Sequence, residues 1–180
     1  MLVAGGSGAV PHGAIQVARA GGARRVIATV GSPQKAEVAE AAGADLTIDY
    51  RAEDVAARIA ELTGEDGVDR IVESALASNI GLDLQAVRRG GLIVAYGSDG
   101  PEVSIPFFPA ILGNVGLQFF IVYHLAEPDR QAAIAGVTGL LEQHLLQPRV
   151  GATFPLERIA EAHERVEQGD TGGNVLLAFE

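Results

Sequence analysis

At 180 residues, with 48% hydrophobic side chains and a mean hydropathy of +0.23, the chain is long enough to bury one substantial core. Thirteen Lys and Arg against 23 Asp and Glu leave a formal charge of -10, which argues against a broad nucleic-acid-binding surface. The lack of cysteine removes disulfides, thiolate catalysis and Cys-ligated zinc, and with no long apolar span or basic-flanked leader the expected compartment is the cytoplasm, with no membrane contact.

Met1-Leu2-Val3-Ala4 is a short apolar run that reads as a buried strand. Gly5-Gly6-Ser7-Gly8-Ala9-Val10-Pro11 follows at once, then a helical pattern through Ala14-Ile15-Gln16-Val17-Ala18 that ends at Gly21-Gly22. Strand, glycine turn and helix present bare N–H groups and the positive end of a helix dipole to an anion. Gly6-x-Gly8 fits the start of the dinucleotide fingerprint, but Pro11 stands where its third glycine belongs. Proline is tolerated in a first helical turn, because its missing N–H has no intrahelical partner there. The alternative is a tight strand-to-helix connection without a ligand. Because the first residue already belongs to a strand, with no cap before it, the chain is expected to be one piece of a longer protein.

Arg25 to Val30 reads as a second strand, Gln34 to Ala42 as a helix with Ser32 as N-cap and Pro33 at N1, and Leu46 to Tyr50 as a third strand. A helix is expected from Glu53 to Leu62 with Gly64 ending it, a fourth strand from Val68 to Glu73, a helix from Ile80 to Arg88, and a fifth strand from Leu92 to Tyr96 bounded by Gly90-Gly91 and Gly97. Repeated units of this size call for an α/β fold, a doubly wound parallel sheet with right-handed crossovers. Pro101, Pro106 and Pro109 mark a looser passage before Val115 to Tyr123, a very apolar sixth strand. A helix from about Pro128 to His144 follows, then a strand-like Ala152-Thr153-Phe154, a helix from Leu156 to Gln168 and a last strand from Val175 to Phe179.

The end of the second strand decides which anion the first turn holds. An NAD site places an acid there for the ribose hydroxyls. Here Val30-Gly31-Ser32-Pro33-Gln34-Lys35 carries no acid before Glu37, and a hydroxyl plus a lysine one turn away suits a 2′-phosphate. Tyr50 and Arg51 sit at the same corner. The competing reading leaves Ser32 as a cap and Lys35 as a solvated side chain. The missing acid also counts against a methyltransferase. None of Tyr50, Tyr96 or Tyr123 is followed by lysine four residues on, as a short-chain dehydrogenase requires, and no Ser-His-Asp elbow is present. His12, His124, His144 and His163 lack ligand-like spacing, while Asp66, Asp69 and Glu73 read as solvated or capping groups.

These segments resemble the nucleotide-binding half of the medium-chain dehydrogenase/reductases, in particular the zinc-independent quinone oxidoreductases of the zeta-crystallin type. The matching stretches are Val3 to Val10, Ala28 to Lys35, Gly43-Ala44-Asp45 through Arg51, Gly90 to Gly97, Phe154-Pro155-Leu156 with Ala160 to His163, and Gly172 to Val175, covering nearly the whole chain in order. The resemblance implies a Rossmann sheet of strand order 3-2-1-4-5-6 over residues 1–149, NADPH (NADP) as cofactor, and a homodimer. It implies that the turn Ser7, Gly8, Ala9, Val10 holds the pyrophosphate, that Gly31, Ser32, Lys35 and Tyr50 form the 2′-phosphate corner, and that Ala75, Gly97 and Ser98 lie along the cofactor. Phe120, Val122 and the Gly173-Asn174 loop would approach the nicotinamide. Residues 150–180 form a segment that in the family packs on an N-terminal substrate domain, which this chain lacks. The expectation is therefore a chain that binds nucleotide, within a parent protein that reduces quinones or α,β-unsaturated carbonyls. No catalytic side chain and no metal ligand are expected in it.

The apolar Val115 to Tyr123 run also has two readings, a strand buried under its own helices or an edge that pairs with its twin across a two-fold axis. Three functions stay open at this point: the cofactor part of an NADPH-dependent oxidoreductase, a non-catalytic NADPH-sensing module, and a structural crystallin-like protein without a ligand.

Overall fold

A computed structural model describes residues 1–169 and 171–179; Asp170 and Glu180, both in the expected C-terminal segment, lie outside the described residues. Strand and helix alternate through β1 (Leu2–Val3), α1 (Ala9–Ala20), β2 (Ile27–Val30), α2 (Pro33–Ala41), β3 (Leu46–Asp49), α3 (Val55–Thr63), β4 (Val68–Glu73), α4 (Leu76–Ala86) and β5 (Val87–Ala95). Then come α5 (Phe107–Gly113), β6 (Gly116–Phe119), a 3-10 turn at Val122–His124 and α6 (Glu127–Glu142). The chain closes through β7 (Val150–Pro155), a 3-10 turn at Leu156–Arg158, α7 (Ile159–Glu167) and β8 (Asn174–Ala178).

Six parallel strands run in the order β3-β2-β1-β4-β5-β6. The two-residue period of a strand sends neighbouring side chains to opposite faces, and β1 shows how this builds two cores. Leu2 joins Ile27, Ile71, Leu76 and Ile93 on the α3/α4 face, whereas Val3 joins Ile15, Ala28 and Ala39 on the α1/α2 face. Because β1 is buried on both faces, both its residues are apolar. Between β1 and β4 the strand order reverses, and crevices for ligands open at the carboxyl ends of such strands.

Local signals set most boundaries. Ser32 Oγ accepts from the Lys35 amide at 3.3 Å with Pro33 at N1, Asp54 Oδ1 accepts from the Ala57 amide at 3.0 Å, and Gly64 ends α3 in the left-handed region at φ 68°. Several boundaries depart from the sequence reading. The passage around Pro101 to Pro109 contains α5, because Pro106 caps it and Pro109 falls in its first turn, where proline loses no hydrogen bond. Gly90-Gly91 does not open β5 but lies inside it, as a bulge where the register shifts between Val68 and Arg70, with Gly90 at φ 68°. The expected nine-residue strand Val115 to Tyr123 shrinks to β6, which ends at Phe119 opposite Ala95, the last residue of its only neighbour in the sheet. The last strand, read as having lost its partner, pairs in parallel with β7, and α7 crosses between the two.

Candidate functional site

At the mouth of the crevice the chain turns from β1 into α1. The Gly6 amide donates to Thr29 O (2.9 Å), the Gly5 amide donates to Thr29 Oγ1 (3.1 Å), and Gly5 adopts φ +68°. A Cβ on Gly6 would lie 2.6 Å from that of Ala28 and 3.2 Å from those of Ala39 and the Ile15 Cδ1, so only glycine lets the turn rest on β2 and α2. The first amide of α1 to bond back inside the helix region is that of His12, to Gly8 O at 2.9 Å. The amides of Ala9 and Val10 precede it, in an exposed first turn, and Pro11 has none to leave unpaired. Pro11 is buried with its ring packed towards Gly8, the Cδ lying 3.3 Å from where a Gly8 Cβ would stand. The ring therefore packs inward and leaves the notch open.

Beside this turn lies a cavity of about 500 Å³, and Ser7, Gly8, Gly31, Lys35 and Tyr50 share its wall. Tyr50 closes over Gly31 so tightly that a Cβ there would be 2.5 Å from the phenol oxygen. Ser32 is the α2 N-cap and does not line the cavity. Gln34 and Glu37 from α2 also reach it, as do Arg149, Thr171 and Gly172 from the tail, none of which the sequence singled out. Glu37 brings an acidic side chain to the cavity that Lys35 also lines.

A second cavity, of about 300 Å³, shares Gly5 and Tyr50 with the first and runs down between β4 and α4. Ala75 lines it, with Glu73, Asn79, Asp83 and Asp99. Glu73 corrects the reading of a solvated acid: it is buried, and its carboxylate accepts from the amides of Ser74 (2.6 Å) and Ala75 (2.5 Å) and from Asn79 Nδ2 (3.1 Å). Three donors at the start of a helix satisfy the hydrogen-bonding capacity of an acid held out of water. Asp83 is 1% exposed, and neither of its oxygens has a hydrogen-bond partner among the described residues. Burial, with the nearby Glu73 charge, pushes its carboxyl pKa up to about 8. Asp69, by contrast, is exposed and paired to Arg88 at 2.6 Å, and that hydrogen bond holds its pKa low.

The remaining candidates spread along the far side of the sheet. Gly97 packs on β4, where a Cβ would meet Ser74 O at 2.8 Å, and Ser98 Oγ donates to Gly100 O at 2.8 Å. Phe120 lies with its ring centroid 6.5 Å from that of Tyr96, and Val122 is exposed on the 3-10 turn. None of these four lines either cavity. Gly173 is buried against the backbone of Arg149 and Gly151, and Asn174 Nδ2 donates to Arg149 O at 3.1 Å. It is the loop just before them, at Gly169, Thr171 and Gly172, that reaches a cavity wall, at the Lys35 end. His163 is exposed, and among the described residues no group of three His, Cys, Asp or Glu side chains is placed to hold a metal ion.

A doubly wound parallel sheet with a glycine-turned helix N-terminus at its switch point defines a Rossmann-type α/β domain, here the nucleotide-binding half of a medium-chain dehydrogenase/reductase. The chain belongs to the zinc-binding dehydrogenase family, whose model matches residues 9–138. It is similar to the quinone oxidoreductase of Sus scrofa, 30% identical over 179 residues that make up 98% of this chain and 54% of that protein. Among solved structures, an NAD-dependent alcohol dehydrogenase superposes with a TM-score of 0.89 at 32% identity, over 99% of this chain and 50% of that one. The Escherichia coli quinone oxidoreductase complexed with NADPH superposes with a TM-score of 0.83 at 29% identity, over 99% of this chain and 56% of that one. The chain thus spans about half the length of the curated relatives it matches.

Proposed function

We propose that the chain is the cofactor-binding part of an NADPH-dependent oxidoreductase that reduces quinones or α,β-unsaturated carbonyls by hydride transfer. The observation that carries the reading is the cavity shared by Ser7, Gly8, Gly31, Lys35 and Tyr50, which joins a helix N-terminus to a lysine with no acid at the end of β2. In this reading the amides of Ala9 and Val10 hold the pyrophosphate, Lys35 and the Ser32 corner hold the 2′-phosphate, and Tyr50 over Gly31 walls the adenosine end. Ala75, Gly97, Ser98, Phe120 and Val122 run along the nicotinamide half, and Gly173-Asn174 anchors the tail. When bound, NADPH supplies the hydride; the chain's own residues bind and orient it. Quinone oxidoreductases and an NADPH complex among the relatives support this cofactor and substrate class, while an NAD-dependent alcohol dehydrogenase superposes with the higher TM-score.

A second reading, an NADPH-binding module without turnover of its own, is favoured by one feature of the nicotinamide side. Phe120 and Val122 are exposed there and line neither of the two cavities described above. Hydride transfer needs substrate pressed against the nicotinamide in a dry cleft. The chain alone should therefore bind NADPH without appreciable quinone reduction, in the cytoplasm and with no metal of its own. Fluorescence titration with NADPH and NADH tests both readings. NADPH preference lost in Lys35→Ala supports them, whereas no binding of either dinucleotide leaves only a structural, crystallin-like role. Measurable quinone turnover by the chain alone would remove the second.

The reading includes a homodimer. β6 is an edge of the sheet, and its Phe119 and, beyond it, Ile121 and Tyr123 are exposed, Tyr123 at 85%. Pairing with a second copy across a two-fold axis would continue the sheet and cover these side chains.

A further inference from the structure

Resting on the cofactor reading above, we propose that Arg149, carried in by the tail, is the second cation of the extra-phosphate site and sets the preference for NADPH together with Lys35. The charges on the cavity wall make the case. Lys35 shares that wall with Glu37, and the two cancel, while a phosphomonoester arrives with a charge of about -1.5 to -2. Among the described residues Arg149 is the third charged side chain of the same cavity, and it adds a positive charge to that wall. It also lines a smaller cleft between α1 and α2 with His12, Glu37 and Val38.

Its backbone is held from two directions. On the α1 side, the Gln16 amide clamps Gln147, with Oε1 accepting from the Gln147 amide at 2.7 Å and Nε2 donating to Gln147 O at 3.2 Å. Two residues on, Arg149 O accepts from the Asn174 amide at 2.7 Å and from Asn174 Nδ2 at 3.1 Å. The guanidinium lies against the Gly172 loop, its Nη2 3.7 Å from where a Gly172 Cβ would be. It is also close enough to α1 that its charge, after burial, helps to lower the pKa of His12. A planar fork carried on a backbone held in this way suits bidentate contact with phosphate oxygens, which a lysine point charge does not offer.

The test is fluorescence titration of the chain and of Arg149→Ala, Arg149→Lys and Lys35→Ala with NADPH and NADH. Arg149→Ala should weaken NADPH by about tenfold or more, the scale of one charge-assisted contact, and leave NADH within about twofold. Arg149→Lys should recover part of the loss, because the charge remains while the fork does not. Equal weakening of both dinucleotides would put the guanidinium on the shared pyrophosphate and overturn the assignment. Unchanged NADPH affinity in Arg149→Ala, alongside a loss in Lys35→Ala, would overturn it while leaving the cofactor reading intact. If the unaltered chain binds neither dinucleotide, the cofactor reading fails first and takes this one with it.

Discussion

Two single residues show how tightly the crevice constrains its side chains. Gly31 has an ordinary backbone, so nothing in its conformation requires glycine; the Tyr50 ring above it does. Gly31→Ala must push the phenol aside, and the expected result is a stability loss of about 1–3 kcal/mol with weaker NADPH binding. Urea unfolding beside a titration checks this, and an unchanged midpoint and affinity would show that Tyr50 swings away freely. Asp83 makes a prediction in pH. Its carboxyl has a pKa of about 8 in the folded chain against an ordinary 3.8. Between those values the folded state keeps a proton that the unfolded chain has released, so stability from this group is full at the acid end and falls as pH rises towards about 8. The slope is at most about 1.4 kcal/mol per pH unit. Asp83→Asn, which mimics the neutral acid, should flatten urea-midpoint profiles taken between about pH 5 and 8. Identical slopes in the two proteins would mean that Asp83 ionises without penalty.

At the level of elements, β6 makes the sharpest statement, because a four-residue strand with one neighbour leaves a row of unpaired backbone groups beside exposed aromatic side chains. Light scattering should give twice the chain mass, and Phe119→Arg should return it to a monomer of unchanged helical content. A monomer for the unaltered chain at high concentration would remove the dimer. The same strand shows what pattern alone conveys. Its apolar run read as nine residues because hydrophobicity marks what can pair, whereas length is set by where β5 stops, at Ala95. β4 needed no such correction, since β5 pairs with it from Val68 to Glu73 and β1 pairs with its Ile71 and Val72 on the other side. Helix α5 was hidden because proline punctuates loops and first turns alike. The turn at Gly6 and the Lys35 corner were legible because their chemistry is local in sequence. Arg149 was not, since the Gln16 clamp that brings its segment in spans 131 positions, and no spacing rule registers such a contact. Glu73 was misread for a related reason: an acid at a strand end looks solvated until the amides that hold it are in place.

For the molecule as a whole, the phosphate site and the fold should be linked through stability. The cavity at Lys35 is built from the turn between β1 and α1, the end of β2, α2, Tyr50 after β3 and the tail, so a ligand there touches segments that come together only in the native chain. Anything that binds the folded state alone stabilises it by RT ln(1 + [L]/Kd), which is about 2.7 kcal/mol at a hundredfold excess over Kd. For a chain of this size that corresponds to a rise in Tm of about 5–10 °C. On the proposed reading the rise should be larger with NADPH than with NADH at equal concentration, because only NADPH would bring an extra phosphate to Lys35 and Arg149. Added salt should narrow the gap, since those contacts lie partly in solvent and are screened within about 10 Å at 0.1 M. Thermal melts with each dinucleotide at two ionic strengths measure both effects. Equal shifts for the two cofactors would mean that the crevice grips only the shared pyrophosphate and adenosine, and that the corner at the end of β2 has no phosphate to hold.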